Sequence, residues 1–111
     1  MVQKLIQFGY ALSDIKEMVS LFQRSIADYQ EIFKHDNQQM TLKALHKLKG
    51  GLRILQFSEL IDDADALEKA IKLDGIKHNK PFLIRLIEEC SITSNRVLSV
   101  IDDYPETIRN E

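Results

Sequence analysis

The sequence has little of the residues that mark secreted, membrane-spanning or repetitive proteins. One cysteine among 111 residues cannot form an intramolecular disulfide, which suits a reducing compartment. Four glycines and two prolines exclude a collagen-like repeat and a proline-rich linker. No apolar run approaches the ~18 residues of a membrane span, and the first residues lack the apolar core of a secretory signal. We therefore expect a cytoplasmic protein that does not insert into the membrane.

An excess of charge of one sign is also missing. The chain has 15 Lys and Arg against 17 Asp and Glu, a net charge of −2, which provides no overall basic field for nucleic acid. Apolar residues make up 44% of the chain, enough for one core at this length. These numbers predict a single domain over residues 1–111 and argue against nucleic acid as the main partner.

Apolar residues recur at three- and four-residue steps, and strict alternation is absent, which predicts an all-α fold. A short helix should run from about Val2 to Phe8 and end at Gly9. Ser13 can cap a long helix that continues to Phe33. Its apolar residues have helical spacing: Ile15, Met18, Val19, Phe22, Ile26, Tyr29 and Phe33.

Two further helices are predicted in the middle of the chain. Asn37 can cap one over about Gln38 to Gln56. Ser58 precedes the other, which should end near Asp74-Gly75, where glycine suits a helix C-terminus.

A last helix is expected after a loop over Ile76 to Asn79. Pro81 would lie in its first turn, and Pro105 would follow its end. Long amphipathic helices with short connections pack as antiparallel neighbours, so the pattern favours an up-down four-helix bundle with a short additional N-terminal helix.

The segment from Thr41 to Leu55 has a feature that folding alone does not require. Gly50 and Gly51 are adjacent in a helix interior, where each costs about 1 kcal/mol relative to alanine. Helical geometry points His46 away from the apolar side. That side consists of Ala44, Leu45, Leu48, Leu52 and Leu55. His46 should therefore be exposed among cations and beside bare backbone, which suits an incoming anion.

A phosphoryl group is one such anion. A neutral imidazole has a lone pair that can attack an activated phosphoryl group, and nearby cations can offset its charge. A missing side chain one turn away lets a partner's active site close over the histidine. The simpler interpretation is a solvated His46, solubilising charges on Lys43 and Lys49, and glycines that serve close packing. Spacing alone leaves both interpretations open.

The run His46-Lys47-Leu48-Lys49-Gly50 resembles the H-x-L-K-G core of histidine-containing phosphotransfer (HPt) domains. These bundles relay phosphoryl groups between receiver domains of response regulators. Leu60 and the pair Leu67-Glu68 fit the family register without a gap, and Leu21-Phe22 resembles part of its first bundle helix. The resemblance covers about residues 10 to 103.

The resemblance implies a role for each residue of the motif. His46 would accept a phosphoryl group from a receiver aspartate and pass it to another receiver, Lys49 would stabilise phosphoryl charge, and Gly50 would admit the receiver. Three further residues are expected at the docking surface: Leu42, Lys43 and Arg53. The partners would be receiver domains of response regulators or of a hybrid histidine kinase. We expect a monomer that uses no cofactor and no metal.

Glu68 follows His46 by 22 residues, in the register that the resemblance supports. If the two helices pack antiparallel, its carboxylate can accept a hydrogen bond from Nδ1–H of His46 and leave the Nε2 lone pair facing outward. Alternatively, Glu68 pairs with Lys72 at the favourable four-residue spacing.

The chain departs from the family at three positions. Gln56 stands where another glycine is usual, Asp63 occupies a position that is often apolar, and Gly51 replaces Ser or Ala. None of these changes removes a reacting group, but they affect the end of the third helix and the packing of the fourth.

Two other functions are consistent with the sequence. An HPt-like adaptor would bind a response regulator without phosphoryl transfer. A fragment of a histidine-kinase dimerisation domain fits less well, because an acidic residue normally follows its histidine, whereas Lys47 follows His46 here.

The remaining reactive side chains receive structural interpretations. His35 and His78 are expected in solvated connections without metal-ligand spacing. Adjacent acids on a helix fan around its axis, so we expect a polar face at Asp62, Asp63 and Asp65. Cys90 falls on the apolar stripe of the last helix and is expected in the core.

Overall fold

A computed structural model of the chain describes residues 2–104, and all regular structure in that part is helical. The prediction of an all-α fold is confirmed. The five helices are α1 (Val2–Gln7), α2 (Leu12–Lys34), α3 (Gln38–Leu55), α4 (Ser58–Asp74) and α5 (Ile76–Asp102).

The helices pack around one apolar core. Helix α2 contacts α3 and α5, α4 contacts α3 and α5, and α1 packs against α2. Each long helix contributes a buried stripe, such as Ile15 and Val19 from α2 and Leu45 and Leu48 from α3. Cys90 is fully buried in the same core, as its place on the apolar stripe predicts.

The two helix starts that carry predicted caps behave differently. Asn37 caps α3 as predicted, because its Oδ1 accepts a hydrogen bond from the backbone N–H of Met40 at 3.0 Å. The predicted cap at Ser13 is wrong. Helix α2 begins at Leu12, and its N-cap is Ala11, which forms no side-chain cap hydrogen bond. Burial of Leu12 brings this residue into the first turn and moves the helix start back.

Helix α3 ends at Leu55, and Gln56 follows in the left-handed conformation with φ 58° and ψ 39°. The backbone N–H of Phe57 donates to the carbonyl of Leu52 at 3.0 Å, which closes the helix end. The helix therefore ends next to Gln56, where the sequence pattern predicts its end. Phe57 is buried and leads directly into α4.

The predicted loop over Ile76 to Asn79 is wrong. Gly75 alone links α4 to α5, with φ 84°, a left-handed value that glycine tolerates. Asn79 Nδ2 donates to the carbonyl of Gly75 at 2.8 Å and stabilises a first turn ahead of Pro81. Pro81 consequently lies inside α5, beyond the first turn. The expected stop at Pro105 lies outside the described residues.

Candidate functional site

The face of α3 that is opposite to the core presents His46. The residues predicted to point inward, from Ala44 to Leu55, are at most 3% exposed. His46 is exposed, in agreement with the helical register. Within residues 2–104 neither ring nitrogen forms a hydrogen bond or ion pair.

The surroundings of His46 are basic and partly apolar. One turn earlier on α3 lie the half-buried Leu42 and the exposed Lys43, and Arg53 lies exposed two turns later. Helix α3 contains no acidic residue. Its exposed cations therefore create a positive potential around the imidazole that favours an anionic group.

The two adjacent glycines have different environments. A Cβ on Gly51 would lie 3.0 Å from Cδ1 of Phe22, a tight contact that the ring would have to relieve by moving, so close packing against α2 favours a residue without a side chain. A Cβ on Gly50 would have no atom within 4 Å. Packing therefore explains Gly51 and leaves Gly50 unexplained. Gly50 lies four residues after His46, on the same face of α3.

Lys49 differs from the sequence-based expectation of an exposed charge. The residue is only 7% exposed. Its Nζ lies 2.7 Å from Oδ1 of Asp65 and 2.5 Å from Oε2 of Glu68, both on α4. The side chain thus extends toward α4, where two carboxylates compensate its charge.

Glu68 forms ion pairs with two lysines. Its Oε2 contacts Lys49 and its Oε1 lies 3.2 Å from Nζ of Lys72. The alternative of a pair with Lys72 is therefore confirmed. Among the described residues Glu68 forms no hydrogen bond with His46, so in this conformation the carboxylate orients Lys49 instead of the imidazole.

The contacts of Lys49 shift the pKa values of all three groups. The hydrogen bond from Lys49 holds the pKa of Asp65 and the pKa of Glu68 below their ordinary values. Hydrogen bonds to Asp65 and Glu68 raise the pKa of Lys49. All three shifts favour the ionised forms, so the cluster is charged at neutral pH.

Sequence reasoning missed the contribution of Asp65, which it grouped with Asp62 and Asp63 as a polar face. A signal was present in the spacing, because Asp65 and Glu68 are three residues apart and so share one face of a helix. The sequence contained no indication that this face meets Lys49.

The other candidate side chains form no second site. His35 is exposed, and its Nε2 lies 3.7 Å from Oε1 of Glu31. His78 is also exposed, but it lies in α5, not in a connection. Burial raises the pKa of Cys90 to about 12, which makes the thiol a poor nucleophile. Within residues 2–104 no three His, Cys, Asp or Glu side chains form a group that could hold a metal ion.

None of the helices in residues 2–104 has both the length and the hydropathy needed to cross a membrane. Comparison of the chain with protein-family models, with curated proteins and with solved structures gives no match.

Proposed function

We propose that this chain is a histidine phosphotransfer module of a phosphorelay. The observation that carries the proposal is the combination of an exposed His46 with Gly50 one turn later, where a side chain would have no neighbour within 4 Å. A residue that costs helix stability and does not serve packing is expected where another molecule approaches.

The arrangement of the helices supports this proposal. Contacts of α2 with α3, of α3 with α4, of α4 with α5 and of α5 with α2 support the proposal that these helices form an up-down four-helix bundle to which α1 is added. In such a bundle one face of α3 remains uncovered along its length. Receiver domains of response regulators or of a hybrid histidine kinase would dock on this face, which implies a cytoplasmic location.

The transfer follows from the chemistry of the imidazole. The Nε2 lone pair of His46 attacks the phosphorus of a receiver aspartyl phosphate, an N–P bond forms, and the P–O bond breaks to release the receiver carboxylate. The reverse attack by a second receiver aspartate transfers the group onward. Lys43 and Arg53 would attract the acidic receiver site, while Leu42 would contribute an apolar contact.

The test uses a labelled phosphoryl donor and three glutamine variants. The parent chain should acquire label from a phosphorylated receiver or from phosphoramidate, and His46→Gln should acquire none while it remains folded. His35→Gln and His78→Gln remove other exposed histidines and should label like the parent. The label should be labile in acid and persist in alkali. Equal labelling of His46→Gln and the parent would overturn the proposal.

One observation favours the adaptor as a second candidate. Lys49, which the resemblance places beside the phosphoryl group, is bound by two carboxylates on α4. An adaptor would bind an unphosphorylated receiver with the affinity of a carrier but would acquire no label. Receiver binding without label, measured on the same preparation, therefore distinguishes the adaptor from the carrier.

A further inference from the structure

Lys49 is a nearly buried cation at the contact between α3 and α4. Apolar residues of α3 and α4, including Leu48, Leu52 and Ile71, already belong to one buried cluster. Replacing a buried ion pair by apolar residues of similar volume is often neutral or stabilising. We therefore relate the charge of Lys49 at this interface to the neighbouring His46.

The spacing connects Lys49 to His46. The two residues are three positions apart on α3, so their Cβ atoms are about 5–6 Å apart. A lysine side chain is long enough to reach a group on the imidazole or, as observed, the carboxylates of α4. A phosphoryl group on His46 would carry almost two negative charges, comparable to those of Asp65 and Glu68 together. The two sets of anions would compete for one ammonium.

Direct contacts hold the ammonium of Lys49 at the two carboxylates. Nζ of Lys49 contacts both carboxylates directly, and Lys72 additionally holds the second oxygen of Glu68. Arg53 and Lys69 act on Asp65 from a greater distance and also lower its pKa. Both carboxylates are ionised at neutral pH, so their direct contacts keep Lys49 bound there.

We propose that Asp65 and Glu68 are positioning residues that restrain Lys49 and thereby raise the free energy of phosphorylated His46. The inference rests on the proposed phosphotransfer function and describes its regulation. A phosphohistidine that lacks full compensation by Lys49 has a higher transfer potential and passes its phosphoryl group more readily to a receiver. Asp65 and Glu68 act through Lys49 and do not contact the phosphoryl group.

The test measures an equilibrium and needs no identified receiver. Phosphoramidate transfers its phosphoryl group to Nε2 of His46, where an N–P bond forms while the donor P–N bond breaks and ammonia leaves with a proton from water. At fixed concentrations of phosphoramidate and ammonia, ³¹P NMR of the full chain gives the phosphorylated fraction. Neutralising a carboxylate in Asp65→Asn or Glu68→Gln should raise the equilibrium constant about threefold, since Lys49 is then held by one carboxylate instead of two and turns more readily to the phosphoryl group.

Two controls separate this mechanism from a general charge effect. Asp62→Asn removes the same charge from an exposed carboxylate of α4 that forms no ion pair with residues 2–104, and it should leave the equilibrium constant unchanged. In a Lys49→Met background, Asp65→Asn should have no effect, because the carboxylate acts through Lys49. An equal gain in that background would overturn the inference.

The remaining outcomes are equally distinct. Should Glu68→Gln fail to fold, Asp65→Asn still decides, because the Asp65 side chain is 42% exposed and tolerates substitution better. A labelled parent with the same equilibrium constant in both variants would overturn the inference and leave the proposed function intact. A parent that acquires no label from phosphoramidate or from a receiver would overturn both.

Discussion

The ring of Phe22 occupies the space that a side chain on Gly51 would need, with Cδ1 3.0 Å and Cε1 3.1 Å from the position of a Cβ. Phe22 is itself buried and packs edge-on against Phe57, with ring centroids 6.1 Å apart. These contacts connect α2, α3 and the start of α4. They also distinguish Gly51 from Gly50, because a Cβ on Gly50 would have no atom within 4 Å.

Alanine at the two glycines should have opposite effects on stability. Gly50→Ala should raise the free energy of unfolding by about 1 kcal/mol, because helix propensity improves and the Cβ meets open space. Gly51→Ala should lower it by about 1 kcal/mol, because the strain against Phe22 exceeds the same propensity gain. Urea unfolding measures both. Equal stability of the two variants would contradict the packing role of Gly51, and Phe22→Leu should partly rescue Gly51→Ala.

A larger side chain at Gly50 should raise the stability of the chain but slow phosphoryl transfer. Gly50→Gln should be more stable than the parent by about 0.5 kcal/mol, because glutamine is a better helix former than glycine. The same change should slow phosphoryl transfer from a receiver, because the side chain extends into the space next to His46. Gly50→Ala is the small control. If Gly50→Gln binds the receiver and transfers the phosphoryl group at the parental rate, Gly50 has no role in docking.

Lys49 should matter for stability, contrary to what its sequence position suggests. Lys49→Met removes a cation from Asp65 and from the mostly buried Glu68 and should lower the free energy of unfolding by roughly 2 kcal/mol. Lys72→Met removes an exposed lysine that also pairs with Glu68 and should cost less than about 0.5 kcal/mol. Chemical unfolding of both variants at neutral pH checks the difference, and equal losses would show that burial of Lys49 adds nothing.

The same cluster should make the chain sensitive to acid. The pKa of Glu68 is lower in the folded chain than its ordinary value of 4.5, so its contribution to stability is complete above pH 4.5 and is lost as pH falls through the lower value. Glu68→Gln should therefore show a weaker decline in stability below pH 4.5 than the parent. Glu59→Gln, an exposed change on the same helix, should decline as the parent does. Unfolding free energies at about pH 7, 4.5 and 3 test this.

Gln56 has a backbone conformation that favours glycine. Its φ of 58° costs a residue with a Cβ about 1 kcal/mol, so Gln56→Gly should stabilise the chain by about that amount. Gln56→Ala retains the Cβ and should gain nothing. Thermal unfolding compares the two variants, and equal melting temperatures would show that the helix end is not strained.

Much of the fold and part of the site could be predicted from local patterns. The end of α3 near Gln56 and the cap at Asn37 follow from nearest-neighbour chemistry. The start of α5 could not be predicted, because the single-residue link at Gly75 depends on the contacts that bury Ile76 and Asn79. From Pro81 we expected α5 to begin in the turn that contains the proline, but the helix begins one turn earlier, at Ile76.

The sequence by itself determined that His46 is exposed, because the period of a helix decides which residues oppose its apolar stripe. It also determined that bare backbone follows one turn later at Gly50. Only the tertiary structure decided that Lys49 binds Asp65 and Glu68 and that Gly51 faces Phe22. The physical reason is that contacts within a helix follow from residue spacing, whereas contacts between helices depend on the axial register and rotation at which two helices pack.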